Sequence, residues 1–439
     1  MWRHHLTPRK DWQRLVTEQG LVFPETTRPD GTVVPYWNES AWYEVTIDEV
    51  EALEAATEEL WVMCLDAARH MAETMTDERL GLPPGTLGVV RESMRRGDPS
   101  VYARFDLAFG PDGSIKMLEI NGDTPTGLVE TGVVQWRWLE DRMGELDQWN
   151  SLHDRLVERW AALLADGSIR DGNLLFVYDL GEEDSYDGGE MEMTVHYLMD
   201  TAIQAGVRTM AHPIGHLGWN EYARQFRDVH DQPVGSAFKL YPWEEMLREE
   251  FGRIIVEGRE ADPVRWFEPA WKVLLSSKGI LPVLWERNPG HRLLLPSYFD
   301  SEGDLLQWVR KPLHGREGDN VSVHLISDIP DLDTDFEMPG GYGAEGYVYQ
   351  EYTPLPVYDG NYVVLGSWVI DGQAAGMLVR ESDGMVTDYF SRVVPHAISD
   401  HLSPDDAQVQ QWLAERVGPT LPEKPKAPEG AMPVVVERT

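Results

Sequence analysis

The sequence predicts a mixed α/β (α+β) protein, and three stretches predict it. Thr46-Ile47-Asp48-Glu49 is a capping box, with Ile47, Val50, Leu53, Leu60, Met63 and Ala67 following at helical spacing to about Met75. Val101–Phe109 and Ser114–Asn121 are two short apolar-patterned runs on either side of Gly110-Pro111-Asp112-Gly113, the signature of a hairpin. Asn173–Tyr178, an acidic loop Gly181–Glu192, an apolar-periodic Thr194–Ala205 and Val207–Met210 read as strand, loop, helix and strand of an α/β unit.

Residues 1–45 are rich in Trp, Tyr, Pro and polar side chains and read as irregular structure with short helical pieces. His70 on the helix after Thr46 reads as a surface or satisfied histidine. Residues 127–141 and Ser151–Leu164 read as helices, the second with Leu152, Leu156, Trp160 and Leu163 on one face. Phe267-Glu268-Pro269-Ala270-Trp271 reads as a packed wall. Gln307–Lys311 and Val321–Ile326 read as strands flanking a loop that holds Gly315, Arg316 and Gly318. Tyr347–Tyr352 reads as another strand, and Asn361–Ile370 with Gln373–Val379 as a hairpin across Asp371-Gly372. The stretch from Gly418 to Thr439 holds five prolines and reads as an extended or disordered tail. Four regions follow: 1–145, helical with the first hairpin; 146–270, α/β; 271–400, dominated by strands and glycine-rich loops; and 401–439, a C-terminal helix and Pro-rich tail.

The first hairpin carries the chemistry. With the four turn residues as its loop, Phe109 pairs with Ser114, so Arg104 faces Glu119 and Tyr102 faces Asn121. Residues two apart on a strand share a face, which puts Arg104, Asp106, Glu119 and Asn121 on one side of the sheet. Taken singly, each fits a solvated sheet face with one Arg–Glu cross-strand pair. As a set, two carboxylates and an amide oxygen are hard ligands of the kind Mg²⁺ takes, and an arginine beside them can grip a phosphate or carboxylate in two prongs. Asp123-Thr124-Pro125-Thr126 follows directly and places an anion- and metal-friendly loop at a strand end. Farther on, Lys278 stands between small residues, and Lys311 at a strand end precedes the Gly315–Gly318 loop. That pattern suits a flap over phosphates, although G-x-x-x-x-G-K-[ST] is absent.

Composition narrows the partners. The formal net charge is −37, from 38 basic and 75 acidic residues, and no basic patch stands out, which argues against nucleic acid. Such acidity draws cations, amines included. The one cysteine, Cys64, permits no intrachain disulfide, lies in the helical pattern as buried filler, and fits a cytoplasmic setting. No apolar leader and no membrane-length apolar run is visible. The 17 tryptophans could suggest a carbohydrate- or peptide-binding module, but most sit in apolar runs and read as core.

These blocks together resemble the synthetase domain of the glutathionylspermidine synthase family and its stand-alone acid–amine ligase relatives, over about Trp12 to Ile398. The resemblance rests on R-F-D…L-E-I-N-G-D-T-P-T, F-E-P-A-W, S-K-G-I-L-P-V-L-W, V-R-K-P-L-H-G-R-E-G-D-N-V, Y-Q-E-Y and L-V-R, in that order. It implies an ATP-grasp-like fold with a pre-ATP-grasp region, the nucleotide lying between antiparallel sheets. It implies ATP and Mg²⁺ as cofactors, and a small-molecule or peptide carboxylate and an amine, a polyamine among the candidates, as partners joined through an acyl phosphate. By resemblance, Asp106, Glu119 and Asn121 match the metal ligands, and Arg104 and Arg380 the arginines at the reacting groups. Thr124, Thr126 and Glu190 match substrate contacts. Lys278, Lys311, Arg316 and Gly318 match phosphate contacts, and Gln350, Glu351, Tyr352 and Thr353 line adenine. The chain departs from the family at Met191, where a second glutamate is expected, and at Leu240, where a threonine is expected. A nucleotide-binding lysine expected after Arg380 has no clear counterpart. The amidase domain of the bifunctional members is missing. The competing reading is a non-catalytic nucleotide-binding regulatory protein of the same fold. Oligomeric state is not legible.

Overall fold

A computed structural model of the chain describes residues 1–180, 189–326 and 334–399. Most of the expected acidic loop (181–188) and the whole of 401–439, with its expected helix and Pro-rich tail, lie outside the described residues. The fold is mixed α/β, as the sequence predicts. Three sheets frame it.

The first sheet is antiparallel and is built on the expected hairpin. Its order runs Arg392–Val394, Gln373–Ser382, Asn361–Ile370, Tyr102–Phe109, Ile115–Asn121. The second is also antiparallel, in the order Ser297–Phe299, Tyr347–Glu351, Trp308–Pro312, Ser322–Leu325, Thr334–Glu337. The third is parallel: Arg265–Phe267, Ser236–Leu240, Asn173–Tyr178 and Arg208–Pro213. Its last two strands are joined by the helix Glu190–Gln204, so the α/β unit is present. That helix starts four residues earlier than the apolar pattern suggests, because Gly189 in a left-handed conformation serves as its N-cap.

The long helix Ile47–Thr74 keeps its capping box: Thr46 accepts from the Glu49 amide at 3.2 Å and Glu49 accepts from the Thr46 amide at 3.0 Å. Its apolar face, Val50, Leu53, Leu60, Cys64 and Ala67, is buried. Burial also pushes the Cys64 thiol up, which keeps it protonated and unreactive. Trp37, Trp42, Trp138, Trp160, Trp243 and Trp368 are among the largest fully buried side chains, so tryptophan serves the core here. Among the described residues no helix is long and apolar enough to cross a membrane.

Residues 1–45 correct the sequence reading. They contain one short helix, Trp12–Glu18, but also four strands. Trp2–His5 pairs with Ala41–Val45, which in turn lies parallel to His396–Ile398. Glu25–Thr27 and Val33–Pro35 pair with each other, and strands of only three to five residues leave too little alternation to read.

Two buried ion pairs anchor the ends of the hairpin. At its start, Glu268 Oε1 accepts from the Val101 and Tyr102 amides at 2.8 Å each, and Lys272 Nζ donates to the Tyr102 carbonyl at 2.8 Å. Lys272 and Glu268 are themselves 3.2 Å apart. At its far end, Lys239 Nζ lies 2.6 Å from Asp123 Oδ1, and Asp123 Oδ2 accepts from the Trp243 amide at 3.0 Å. Gly122 makes this possible: a Cβ there would come within 2.3 Å of Leu275 Cβ, so only glycine lets the loop close against that segment.

Candidate active site

The register of the hairpin differs from the expected one by one residue at the turn and by a second at a bulge, and the two shifts together keep the four candidate side chains on one face. Phe109 pairs with Ile115 and Leu107 with Met117, but beyond a bulge Asp106 pairs with Glu119 and Arg104 with Asn121. The extra residue is Leu118. Without it, Glu119 would face Phe105 and leave the Asp106 face. The bulge therefore brings Arg104, Asp106, Glu119 and Asn121 to one side. It also frees carbonyls: Lys311 Nζ donates to Leu118 O at 2.8 Å, and Gln350 Nε2 to Met117 O at 3.2 Å. The second sheet thus docks onto the first through the bulge.

Asp106 is buried between two guanidinium groups. Arg104 Nε lies 2.9 Å from its Oδ1, and Arg380, from the neighbouring hairpin, pairs with its Oδ2. Arg104 also donates to Thr126 O at 2.6 Å and lies 5.7 Å above the Trp368 ring. Gly366, opposite Asp106 in the register, leaves room for this: a Cβ there would meet Arg104 Cδ at 2.9 Å. Gly366→Ala is expected to push the arginine off Asp106, and a crystal structure of the variant would show the displaced side chain. The Arg380 Nε is buried with no hydrogen-bond partner among the described residues, so a donor is left over for a ligand.

Glu119 sits among cations. Burial raises its proton affinity, but Lys278, Lys311, Arg380 and Arg104 outweigh that and hold its carboxyl down at about 2. Lys278 Nζ is 3.4 Å from Glu119 Oε2 and donates to Gly315 O at 2.8 Å. Lys311 Nζ donates to Gln350 Oε1 at 2.8 Å. Four cationic side chains thus surround two carboxylates, an excess of positive charge that suits a multiply charged anion.

Two joined cavities carry this arrangement. The first lies between the two antiparallel sheets and takes in Lys278, Lys311, Arg316, Gly318, Gln350, Glu351, Tyr352 and Thr353, with Leu295, Val309, Val323 and Met385 as apolar walls. Its volume is about 820 Å³, solvent at its mouth included. The second holds Arg104, Asn121, Thr124, Thr126, Glu190 and Arg380. Asp106, Glu119, Arg316 and Gly318 border both. Every candidate residue from the sequence therefore lies on one continuous cleft.

Other expectations change. Asp123, read as part of a metal-friendly loop, turns inward to Lys239 and is 1% exposed. Glu190 stands in the first turn of a helix rather than in a loop. Leu240 is buried in the parallel sheet and lines neither cavity. Phe23, Thr26, Tyr36 and Tyr389 form part of the second cavity, and sequence reasoning missed all four. The first three belong to the segment read as irregular, and nothing in their spacing marks them.

Whether the site fits a magnesium ion is a question of donor chemistry. No group of three or more His, Cys, Asp or Glu side chains placed to hold a metal occurs among the described residues. The set present is two carboxylates and an amide. Each carboxylate oxygen has two lone pairs, so the pairing of Asp106 with arginines leaves acceptor capacity. Hard oxygen donors with phosphate and water completing the shell are what Mg²⁺ takes, and the residues fit it.

A family model described as glutathionylspermidine synthase preATP-grasp matches residues 3–399. A Haemophilus influenzae protein named "Putative acid--amine ligase" is 37% identical over 399 residues, covering 88% of this chain and 97% of its own. Trypanothione synthetase of Crithidia fasciculata is 26% identical over 340 residues, covering 71% of this chain and 50% of its own. The bifunctional glutathionylspermidine synthetase/amidase of Escherichia coli is 27% identical over 384 residues, covering 81% of this chain and 58% of its own. The chain thus spans little more than half the length of these last two relatives.

Proposed function

The chain belongs to the glutathionylspermidine synthase preATP-grasp family, and from that premise we propose that it is an ATP-dependent ligase joining a carboxylate to an amine through an acyl phosphate. The relatives named above carry the names of ligases or synthetases. The observation that carries the reading is the meeting of the two cavities at Asp106 and Glu119, with Arg104 and Arg380 on one side and Lys278 and Lys311 on the other.

In this reading the first cavity takes ATP. Gln350 to Thr353 and the apolar walls receive the base, and Lys278, Lys311 and Arg316 hold the phosphates. Asp106, Glu119 and Asn121 would hold Mg²⁺, which supplies charge neutralisation at the phosphate oxygens. The second cavity takes the acid, with Arg104 and Arg380 orienting its carboxylate and Thr124 and Thr126 offering hydroxyls. A carboxylate oxygen attacks the γ-phosphorus, ADP leaves, and an acyl phosphate forms. The amine nitrogen then attacks the acyl carbon, phosphate leaves, and the nitrogen loses a proton. Positioning and charge balance do most of the work in the first step. The Gly315–Gly318 loop covers the junction and keeps water from the acyl phosphate. Phe23, Tyr36, Met191 and Leu378 give the acid cavity an apolar wall, so its acid has an apolar portion next to the carboxylate.

The test is turnover of Mg-ATP with pooled carboxylates and polyamines, read by phosphate release and mass spectrometry. ADP with an amide product supports the ligase. ATP binding without ADP release across the panel would favour a nucleotide-binding regulatory protein.

A pH dependence follows from Lys311. Burial pulls its ammonium down to about 8 against the upward pull of Glu119. A bound triphosphate favours the charged form, so binding takes up a proton above that pH. Mg-ATP affinity should hold steady below about pH 8 and fall by up to about tenfold per pH unit above it. Lys311→Arg stays charged throughout and should flatten the profile; calorimetric titration across this range checks both.

A further inference from the structure

Joining an amine to an acyl phosphate releases protons, and the two carboxylates at the junction are already engaged. Asp106 is held by Arg104 and Arg380, and Glu119 by Lys278. A third carboxylate stands behind the acid cavity. Glu130 is fully buried in the π-helical turn Glu130–Val134, a few residues beyond Thr126. Its Oε1 accepts from the Tyr36 hydroxyl at 2.7 Å, and its Oε2 has no hydrogen-bond partner among the described residues. Burial raises its proton affinity by more than the Tyr36 hydrogen bond and the field of Arg104 lower it.

Tyr36 links this carboxylate to the cavity. It lines the cavity together with Arg104, Arg380, Thr124 and Thr126. Burial and the charge of Glu130 keep its phenol protonated; Glu190 and Arg380 also act on it, and it acts on Arg104. The hydroxyl thus keeps company with both guanidinium groups that can hold a reacting carboxylate. A glutamine at position 130 could accept the same bond from Tyr36 without burying a charge, so orienting the ring does not by itself call for a carboxylate. Proton transfer does: a buried acid of raised proton affinity, joined to a cleft by a hydroxyl, can take up a proton there and later return it.

We propose that Tyr36 and Glu130 are the relay that deprotonates the attacking amine. The amine arrives as an ammonium. One of its protons passes to Tyr36 Oη while the Tyr36 hydroxyl proton passes to Glu130 Oε1, so the phenol stays neutral and the carboxylate becomes the acid. The freed lone pair forms the bond from nitrogen to the acyl carbon. The bond from that carbon to the phosphate oxygen breaks, its electron pair goes to the departing phosphate, and the second proton of the nitrogen leaves with that phosphate. Glu130 returns its proton through Tyr36 to water once the cavity empties. The inference rests on the ligase reading above and adds to it the acceptor of the amine proton.

The test compares two nucleophiles on the full chain at neutral pH, with the carboxylate and the primary amine that turn over fastest in the Mg-ATP panel. A primary alkylamine is an ammonium there and needs the relay. Hydroxylamine is a weak base, already neutral, and attacks the same acyl phosphate without it. Glu130→Gln keeps the shape and the bond to Tyr36 but takes up no proton, and Tyr36→Phe cuts the link. In each variant the ratio of amide to hydroxamate formation should fall by about a hundredfold. Hydroxamate from the same preparation shows that the variant is folded and still activates the acid. A purely structural role lowers both products together, and an unchanged ratio in both variants therefore overturns the relay while the ligase stands. Hydroxamate with no amide from any primary amine in the wild type overturns it as well. If no carboxylate yields ADP, the ligase reading falls and takes the relay with it.

Discussion

Arg104→Ala is expected to lower kcat for ADP formation by about a hundredfold or more while the protein stays folded. The arginine is 7% exposed and makes bonds to Asp106 and to Thr126 O. It is one of two guanidinium groups that can face a reacting carboxylate at the junction of the cavities. Its loss removes positive charge where negative charge builds up and leaves Arg380 as the remaining partner of Asp106. The strand itself survives, because its backbone stays paired to Asn121 on one side and Trp368 on the other. Lysine should rescue poorly: a single ammonium cannot hold Asp106 through Nε and donate to Thr126 O at once. Asp106→Asn combined with Glu119→Gln should give a similar loss, with weaker retention of Mg-ATP. Steady-state kinetics and a thermal midpoint decide the matter, and unchanged turnover in Arg104→Ala would refute the assignment.

Lys239→Met is expected to destabilise the protein by about 3–5 kcal/mol, because removing one member of a buried pair leaves an uncompensated charge. Lys239 is fully buried, with Asp123 at 2.6 Å and the Tyr241 carbonyl at 2.9 Å. Burial pushes the Asp123 carboxyl up to about 6 even with Lys239 in place to pull it down. A carboxyl whose folded value lies above its unfolded value binds its proton more tightly in the native state. Stability from that group is present below about pH 4 and is lost as pH rises through the folded value. Without Lys239 the folded value climbs further, so the deficit of the variant should be small at low pH and grow through neutrality. Urea unfolding at several pH values checks magnitude and sign. An unfolding midpoint independent of the substitution would show that the pair does not anchor the Asp123–Thr126 loop.

The elements with local signals were legible. The capping box at Thr46 marked the long helix, and Gly110-Pro111-Asp112-Gly113 marked the hairpin, because both are decided within a few residues. The candidate residues were legible as a group, since short motifs carry their order along the chain. Three things were not. The register slipped once at the turn, where Phe109 pairs with Ile115 rather than Ser114, and once more at the bulge at Leu118, an apolar residue that reads as an ordinary strand position. The anchors tie the hairpin to residues far along the chain, Val101 and Tyr102 to Glu268 and Lys272, and Asp123 to Lys239, so only the assembled fold shows why charged side chains sit inside it. The N-terminal strands are too short to show alternation, and two of them, Trp2–His5 and Ala41–Val45, are set by partners farther along the chain.

The most direct measurement is trapping of the activated acid. The full chain is incubated with Mg-ATP, a panel of carboxylates and hydroxylamine, and hydroxamate and ADP are counted together. A carboxylate activated at the junction of the two cavities gives equal amounts of both in the wild type and neither in Arg104→Ala. ATP that binds and returns intact with every acid, or ADP whose yield ignores Arg104, would contradict the enzyme described here.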